Sequence, residues 1–282
     1  EKDMKKLGIF KYKYVGENVI QSGFTVLDKI TYGWKNGELI VIGGRPAMGK
    51  TAFGLSLVRN IAIIDRIPTA YFSLEMSSVQ FMNRFLLNLS GIERFQSKPY
   101  NKKEQAILDD AEKVIDDAPI FLDDTPSLSV QELRTRAFRL VREYQVKLII
   151  IDYLQLMNAS GMVFNNRKEE ISTITRSLKA LAMELNIPII AFSQLNRGVE
   201  SREGIEGKRP QLRDLRESGN IEQDADMVCF LHRPEYYKIY QDDKGNDLHG
   251  MAEIIVSKNR NGKTGDALLK FSGQFLRFEN PT

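Results

Sequence analysis

The sequence predicts an α/β protein with a mostly parallel, twisted sheet that is flanked by helices and extended by antiparallel strands at its C-terminal side. Two observations support this fold class. As far as about residue 224, apolar runs of strand length alternate with helical stretches, which is the order of a parallel sheet built from βαβ units. Beyond that point short strands follow one another without intervening helices, which indicates antiparallel additions.

The chain begins with a basic and aromatic stretch that has no long periodic pattern. We interpret residues 1–20 as a linker or N-terminal arm and expect residues 21–282 to form one domain. Residues 22–34 read as a turn-rich lead-in, in which Trp34 is expected to pack beside the first strand. Along the alternating part, the sequence predicts strands at 39–42, 69–74, 119–122, 147–152 and 187–193, and helices at 52–64, 79–89, 101–117, from 129 onward and at 169–185.

Local signals fix several of these boundaries. Ser77 with Gln80, and Ser129 with Glu132, match the capping box that begins a helix. Pro188 ends the preceding helix, because the residue before a proline is disfavoured in the helical conformation. The remaining predictions are mobile or charged loops at 158–167 and 196–210, a mostly helical stretch at 212–224, and strands at 227–232, 252–258, 267–271 and 275–278.

Composition excludes several classes of protein. Hydrophobic residues at 42% and charged residues at 27% are ordinary globular values, which exclude disorder and collagen. The chain has no apolar run long enough for a membrane span and no secretory h-region near its start, so we expect a soluble, cytoplasmic protein. The single cysteine, Cys229, lies in an apolar run and is expected to be a buried thiol. A net charge of +3 does not by itself identify a nucleic-acid binder.

A glycine-rich loop between the first strong strand and the first long helix carries the clearest chemical signal. Its pattern, G-x-x-x-x-G-K-[ST], stands in the strand-loop-helix context that a phosphate-binding loop requires. Its backbone N–H groups and the helix N-terminus attract anions. Lys50 would reach the β- and γ-phosphates, and the Thr51 hydroxyl would ligate Mg²⁺. We therefore predict a triphosphate site, the alternative being a chance match in a turn, and its residues are Gly44, Arg45, Pro46, Ala47, Met48, Gly49, Lys50 and Thr51.

Polar residues at three further strand ends are expected to converge on this loop, because ligands of open α/β sheets bind outside the carboxyl ends of strands. Asp152 follows four apolar residues and suits the second anchor of hydrated Mg²⁺. Glu75 is the candidate carboxylate for orienting and deprotonating an attacking water. Gln194 could contact the γ-phosphate and report its presence. The alternative for each is a capping or loop-surface role.

Five motifs, in order along the chain, resemble those of the DnaB-type bacterial replicative helicases. The resemblance covers nearly the whole chain from about Ser22 onward. Beside the glycine-rich loop, the motifs are residues 71–77, YFSLEMS; residues 148–157, LIIIDYLQLM; residues 193–197, SQLNR; and residues 214–219, DLRESG, together with residues 221–226, IEQDAD.

The resemblance implies a RecA-like P-loop NTPase core that acts as a helicase motor. Family members assemble as hexameric rings on single-stranded DNA, bind ATP between neighbouring subunits and translocate in the 5′–3′ direction. Glu75 would then activate water, Asp152 would lie on the magnesium side, and Gln194 would sense the γ-phosphate. Primase and a helicase loader are the expected partners of a full-length member. Since nothing here matches the family's helical N-terminal domain, we expect either a fragment or a reduced version.

Two cations near the C-terminus match a motif that, in this family, reaches the ATP of the neighbouring subunit. Lys258 and Arg260 alternate along a predicted strand and therefore share a face. Shared orientation is the geometry that a pair of cationic fingers needs. The alternative is a solvated basic edge that guards the sheet against aggregation.

DNA contact is implied by the resemblance for Arg216, Glu217 and Gly219, in a loop that faces the central channel of the ring. Contacts to phosphates from backbone amides and one arginine would be independent of base sequence. A solvated polar loop is the alternative for the further basic residues nearby, which are Arg197, Arg202, Lys208, Arg209 and Arg213.

Three functions remain open at this stage. The first is an ATP-driven helicase motor at a replication fork. The second is a RecA-like recombination or repair ATPase that remodels strands without processive unwinding. The third is a nucleotide-dependent scaffold whose ATP state governs partner binding with little turnover.

Overall fold

The protein contains one large twisted sheet with helices on both faces. The computed structural model describes residues 19–92, 99–218 and 220–281. Its strands are β1 (Val19–Ile20), β2 (Trp34–Lys35), β3 (Leu39–Gly44), β4 (Thr69–Ser73), β5 (Ile120–Asp123), β6 (Leu148–Asp152), β7 (Ile189–Gln194), β8 (Met227–His232), β9 (Met251–Asn259), β10 (Gly265–Ser272) and β11 (Arg277–Glu279).

Longer helices connect these strands, together with several helices of one or two turns. The longer ones are α1 (Thr25–Thr31), α2 (Lys50–Val58, continued by a π-helix over Arg59–Ile64), α3 (Ser78–Ser90), α4 (Lys102–Asp116), α5 (Val130–Tyr144) and α6 (Arg167–Leu185). The short ones are 3-10 helices at Leu154–Leu156, Arg197–Val199, Leu212–Ser218 and Pro234–Tyr237, and one-turn α-helices at Ile205–Lys208 and Ile221–Asp224.

The strand order of the large sheet is β11-β10-β9-β8-β3-β7-β6-β4-β5. Pairings from β8 through β3, β7, β6 and β4 to β5 are parallel, whereas β8, β9, β10 and β11 pair in antiparallel fashion. The predicted fold class is therefore confirmed. The carboxyl ends of all the parallel strands lie along one edge of the sheet, which is called the cavity edge below.

The parallel strands are apolar throughout because both faces of the sheet are covered. Ile40 and Ile42 of β3 face a cluster formed with α2, α3 and the antiparallel strands. Leu39 and Val41, one residue out of phase, face a second cluster formed with α5 and α6. The alternation of side chains along a strand thus feeds two separate cores.

Helix starts follow the local capping signals. Both predicted capping boxes are present, with Ser77 and Gln80 at the start of α3 and Ser129 and Glu132 at the start of α5. A third box, which begins α4, joins Asn101 to Glu104. Each box satisfies two backbone N–H groups that a helix N-terminus would otherwise leave unpaired.

Three predicted segments differ from the structure. The lead-in at residues 22–34 contains helix α1, whose first turns are held by Asp28 as it accepts hydrogen bonds from Ser22 and Gly23. The stretch 212–224 forms two short helices rather than one. The last strand begins at Arg277 instead of residue 275, because a turn with Leu276 at a φ of 49° precedes it.

Buried packing residues agree with their predictions. Trp34 is 1% exposed beside the start of the sheet, and Cys229 is 3% exposed within β8. Burial raises the pKa of the Cys229 thiol to about 12. Among the described helices, none combines the length and the apolar character that crossing a bilayer requires.

Candidate phosphate-binding site

A cavity of about 400 Å³ lies at the cavity edge, under the glycine-rich loop. Three of the predicted strand-end or loop groups, Lys50, Glu75 and Gln194, meet in its wall. The full lining is Pro46, Ala47, Gly49, Lys50, Thr51, Ala52, Glu75, Arg84, Tyr153, Gln194, Arg233, Phe271, Gly273 and Leu276.

The loop itself depends on one glycine in particular. Gly49 has a φ of 99°, in the left-handed region that favours glycine, and α2 begins at the next residue. A Cβ atom on Gly49 would lie 3.3 Å from the Phe278 ring, so a side chain there would press on the core. The loop can therefore turn tightly over the N-terminus of α2, which gives the cavity a partly positive floor.

Lys50 lies largely buried in the cavity wall. Its ammonium donates hydrogen bonds to the carbonyl oxygens of Gly44 at 3.0 Å and Arg45 at 3.3 Å. Burial lowers the pKa of Lys50, while the nearby carboxylates of Asp152 and Glu75 act in the opposite direction. An ammonium has three donors, so these two bonds leave one for an anion in the cavity.

Thr51, Tyr71 and Asp152 form a buried hydrogen-bonded group. Asp152 Oδ2 accepts hydrogen bonds from Thr51 Oγ1 at 2.8 Å and from the Tyr71 hydroxyl at 2.9 Å. The other carboxylate oxygen, Oδ1, is buried without a hydrogen-bond partner. Burial raises the pKa of Asp152, and the two hydrogen bonds oppose that effect.

This group has the donor set that a hydrated magnesium ion requires. Thr51 gives its only proton to Asp152, so its oxygen lone pairs are left for a cation. Asp152 Oδ1 lacks the donor that a metal-bound water would supply. Mg²⁺ keeps several of its waters and needs few protein ligands. The residues present therefore fit the ion.

Gln194 and Glu75 flank this group. The backbone of Gln194 is held by Gln155, which accepts a hydrogen bond from its N–H at 3.1 Å and donates one to its carbonyl at 3.1 Å. Glu75 follows the end of β4 at a turn that Ser73 stabilises by bonding the Met76 carbonyl at 2.7 Å. Glu75 is exposed at the mouth of the cavity.

Two side chains of the loop point away from the cavity. Arg45 donates hydrogen bonds to the Leu195 carbonyl and to Glu200 instead. Met48 is 1% exposed and belongs to the core under α2. The prediction that these two residues contact the nucleotide therefore requires a correction: only their backbone groups face the site.

Lys258 and Arg260 lie at the opposite edge of the sheet. Asn259, the last residue of β9, pairs with Met227, the first residue of β8, whereas the glycine-rich loop is level with the other end of β8. Arg260 follows β9 by one residue, so the two cations do not alternate within one strand as predicted.

Both cations are held by the same turn of their own chain. Lys258 Nζ donates hydrogen bonds to the carbonyl oxygens of Glu222 at 2.5 Å and Ala225 at 2.6 Å. Arg260 donates to the Gln223 carbonyl at 2.5 Å and lies 3.4 Å from Asp226. Their shared direction is therefore set by the turn at residues 222–226.

The predicted DNA-contacting residues are only partly described. Gly219 lies outside the described residues, as do the side chains of Arg216 and Glu217. Arg202 is paired with Asp214 at 2.7 Å, and Arg209 contacts Glu253 and Asp266. These ion pairs favour a structural role for Arg202 and Arg209.

Sequence reasoning missed several residues of the site. Tyr71 could have been suspected, because a tyrosine in an otherwise apolar buried strand needs a partner for its hydroxyl. Arg233 directly follows β8 at the cavity edge and is stacked 4.0 Å over the Phe271 ring. The strand-end rule that selected Glu75 would also have selected Arg233. Arg84, on helix α3, carries no such signal.

Comparisons with known proteins give one consistent result. A family model described as the DnaB-like helicase C terminal domain matches residues 19–280. The replicative DNA helicase DnaB of Geobacillus stearothermophilus is 42% identical over 263 residues, which are 93% of this chain and 56% of that protein. The replicative DNA helicase DnaB of Pasteurella multocida (strain Pm70) is 44% identical over 270 residues, 93% of this chain and 55% of that protein. The chain thus spans little more than half the length of these curated relatives.

Solved structures agree in fold. The structure of an isolated ATPase domain has a TM-score of 0.84 and 34% identity, with 93% of this chain and 91% of that chain covered. A DnaB-like replicative helicase, studied for its interactions with primase, also has a TM-score of 0.84 and 34% identity, and here 62% of the longer chain is covered.

Proposed function

Because the chain belongs to the DnaB-like helicase C-terminal domain family, we propose that it is the ATP-hydrolysing motor domain of a replicative DNA helicase. In this proposal residues 21–282 form the motor and residues 1–20 an arm or linker. The observation that carries the proposal is the buried Thr51–Asp152 pair under the glycine-rich loop. It joins an anion-binding loop to a cation-binding donor set in one cavity.

The proposed nucleotide is ATP, held at the triphosphate by the backbone of residues 44–51 and by Lys50. Thr51 and Asp152 would hold Mg²⁺, which supplies charge neutralisation at the phosphates when bound. Burial of Asp152 strengthens its interaction with a nearby cation, because the surroundings screen charge poorly. Tyr71 keeps the carboxylate oriented by bonding Oδ2.

Glu75 and Gln194 are proposed to act on the terminal phosphate. Glu75 presents an exposed carboxylate at the cavity mouth, where water can reach it, and would orient and deprotonate the attacking water. Gln194 is neutral and its backbone is fixed by Gln155, so its side-chain amide can report whether a γ-phosphate is present.

Lys258 and Arg260 are proposed to complete the site of a second copy of the chain. They are separated from the glycine-rich loop of their own chain by the length of strand β8. Cations placed there can reach a nucleotide only if a neighbouring copy brings its cavity edge against this opposite edge. Such a head-to-tail contact between copies closes into a ring when the rotation allows. We propose a homo-hexameric ring.

The remaining parts of the proposal concern the whole protein. Single-stranded DNA would pass through the ring and contact Arg216, Glu217 and Gly219, with 5′–3′ translocation. Primase and a helicase loader would be partners of the full-length protein. The recombination and scaffold alternatives are less well supported, because both curated relatives described above are named replicative DNA helicases.

The proposal is tested by the rate of ATP hydrolysis with and without single-stranded DNA. We expect hydrolysis that requires Mg²⁺ and rises when single-stranded DNA is added. Glu75→Gln should lower the rate by about 10²- to 10⁴-fold, because a positioned base is lost, while ATP binding persists. Unchanged hydrolysis in Glu75→Gln would contradict the assignment of the base.

A further inference from the structure

The side chain of Arg45 joins the phosphate-binding loop to a distant segment of the chain. Its Nη1 donates a hydrogen bond to the Leu195 carbonyl at 2.7 Å. Its Nε and Nη2 donate to the same oxygen of Glu200, at 2.9 and 2.8 Å. The Arg45 side chain is 6% exposed and that of Glu200 is 39% exposed. The bond therefore fastens a buried guanidinium to a half-buried carboxylate 155 positions away.

The partner segment, residues 195–200, begins directly after Gln194 and is well packed. Leu195 is 2% exposed and Val199 is fully buried. The Asn196 side chain accepts a hydrogen bond from the Gly198 N–H at 2.9 Å and thereby begins a 3-10 turn. A displacement of Leu195 or Glu200 would therefore carry the whole segment with it.

The charges around Arg45 explain why its bonds are difficult to break singly. Lys50 is a second cation close enough that Arg45 lowers its pKa, together with the larger effect of burial. Glu200 is the carboxylate paired with Arg45. A buried guanidinium without a carboxylate partner is strongly destabilising. The phosphate loop and the segment should thus move together.

We propose that the Arg45–Glu200 ion pair transmits the state of the phosphate-binding loop to residues 195–200. Arg45 is then a positioning residue for this segment and contacts the nucleotide only through its backbone. Since Gln194 leads into the same segment, the ion pair gives the segment a second connection to the site, independent of the γ-phosphate contact. The inference rests on the proposed function, because it requires a nucleotide at the loop.

The test measures hydrogen–deuterium exchange of the backbone over residues 195–203, with and without the slowly hydrolysed analogue ATPγS. Calorimetry measures analogue binding separately. In the parent chain we expect ATPγS to slow exchange in the segment. In Glu200→Gln, binding should stay close to that of the parent, while the nucleotide-dependent slowing should fall about five-fold or more.

Two further variants make the result specific. Glu203→Gln removes the same charge from an exposed position in the same loop and should behave like the parent. The double exchange of Arg45→Glu with Glu200→Arg should recover part of the response that Glu200→Gln loses. A merely structural ion pair would alter exchange without nucleotide but would leave the response to nucleotide intact.

Two results would overturn the inference alone. One is an undiminished response to ATPγS in Glu200→Gln, and the other is a parent chain that binds ATPγS without any response in the segment. If calorimetry detects no ATPγS binding to the parent chain, the proposed nucleotide site fails and the inference fails with it. Calorimetry therefore separates the two failures.

Discussion

The two edges of the central sheet carry their charged groups in opposite ways. At the cavity edge, Thr51, Tyr71 and Asp152 bond to one another and leave one buried carboxylate oxygen unpartnered. At the opposite edge, Lys258 and Arg260 donate to backbone carbonyls of the turn at 222–226. The cavity edge has the donor set for a ligand within one chain. The opposite edge holds cations that have no part in that cavity.

The comparison teaches that a complete reaction site requires both edges, and therefore two copies of the chain. A sheet strand separates the edges, so no rearrangement of side chains within one copy can unite them. The following predictions test this division, from the largest expected effect to the smallest.

Removal of Arg260 should cause the largest loss of activity. We expect Arg260→Ala to lower ATP hydrolysis by about 10³-fold, the contribution typical of an arginine that stabilises phosphoryl transfer. ATP binding to the cavity of the same chain should persist, because Arg260 does not line it. Arg176→Ala, which removes an exposed arginine on α6, is the matched control. An equal loss of ATP binding in Arg260→Ala would contradict the division between the edges.

Acid should destabilise the cavity edge through His232, at the end of β8. Burial lowers the pKa of this imidazole from 6.5 to about 4. Since the unfolded chain binds the proton more readily, the free energy of unfolding should fall as pH drops from about 6.5 to about 4. The full effect corresponds to about 3 kcal/mol.

The variant His232→Gln isolates this contribution. Denaturant unfolding measured between pH 7 and pH 4 should show a shallower loss of stability in His232→Gln than in the parent chain. Parallel curves for the two chains would show that other groups account for the acid sensitivity.

Asp152→Asn should trade function for stability. The amide can still accept hydrogen bonds from Thr51 and Tyr71, but it loses the charge that attracts Mg²⁺. We expect Mg²⁺ affinity in the presence of nucleotide to fall by about 10- to 100-fold. Thermal stability should not fall, because burial already disfavours the ionised carboxyl and raises its pKa. A variant that binds Mg²⁺ normally would remove Asp152 from the proposed ligand set.

Tyr71→Phe should have the smallest effect. It removes one of two donors to Asp152 Oδ2, and we expect the free energy of unfolding to fall by about 1 kcal/mol. Hydrolysis should change much less than in Asp152→Asn, since Thr51 still holds the carboxylate. A larger loss of activity than in Asp152→Asn would mean that the hydroxyl acts on the ligand directly.

The alternating part of the fold could be predicted because its signals are local or periodic. Strands buried on both faces, such as β6, are continuous apolar runs. The capping boxes at Ser77 and Ser129 span only three residues each. Helix α1 escaped prediction, since the bonds from Ser22 and Gly23 to Asp28 that support it leave no apolar period in the sequence.

The site divides in the same way. The glycine-rich loop and the strand ends could be placed at one edge from sequence, because parallel strands share a direction. The pairing of Arg45 with Glu200 could not, because it joins residues 155 positions apart and depends on how the loop after β7 packs. Lys258 and Arg260 were predicted to share a face of one strand, but the turn at 222–226 sets their direction instead.

The most direct test of the central claim mixes two inactive variants. Lys50→Ala lacks the phosphate contact but keeps Arg260, and Arg260→Ala keeps the cavity but lacks the cation. If copies mix at random in equal amounts, about one half times one half, or a quarter, of the contacts between copies are complete. We predict that the mixture with single-stranded DNA hydrolyses ATP at up to about a quarter of the parental rate. A rate equal to the average of the two separate variants would contradict a site shared between copies.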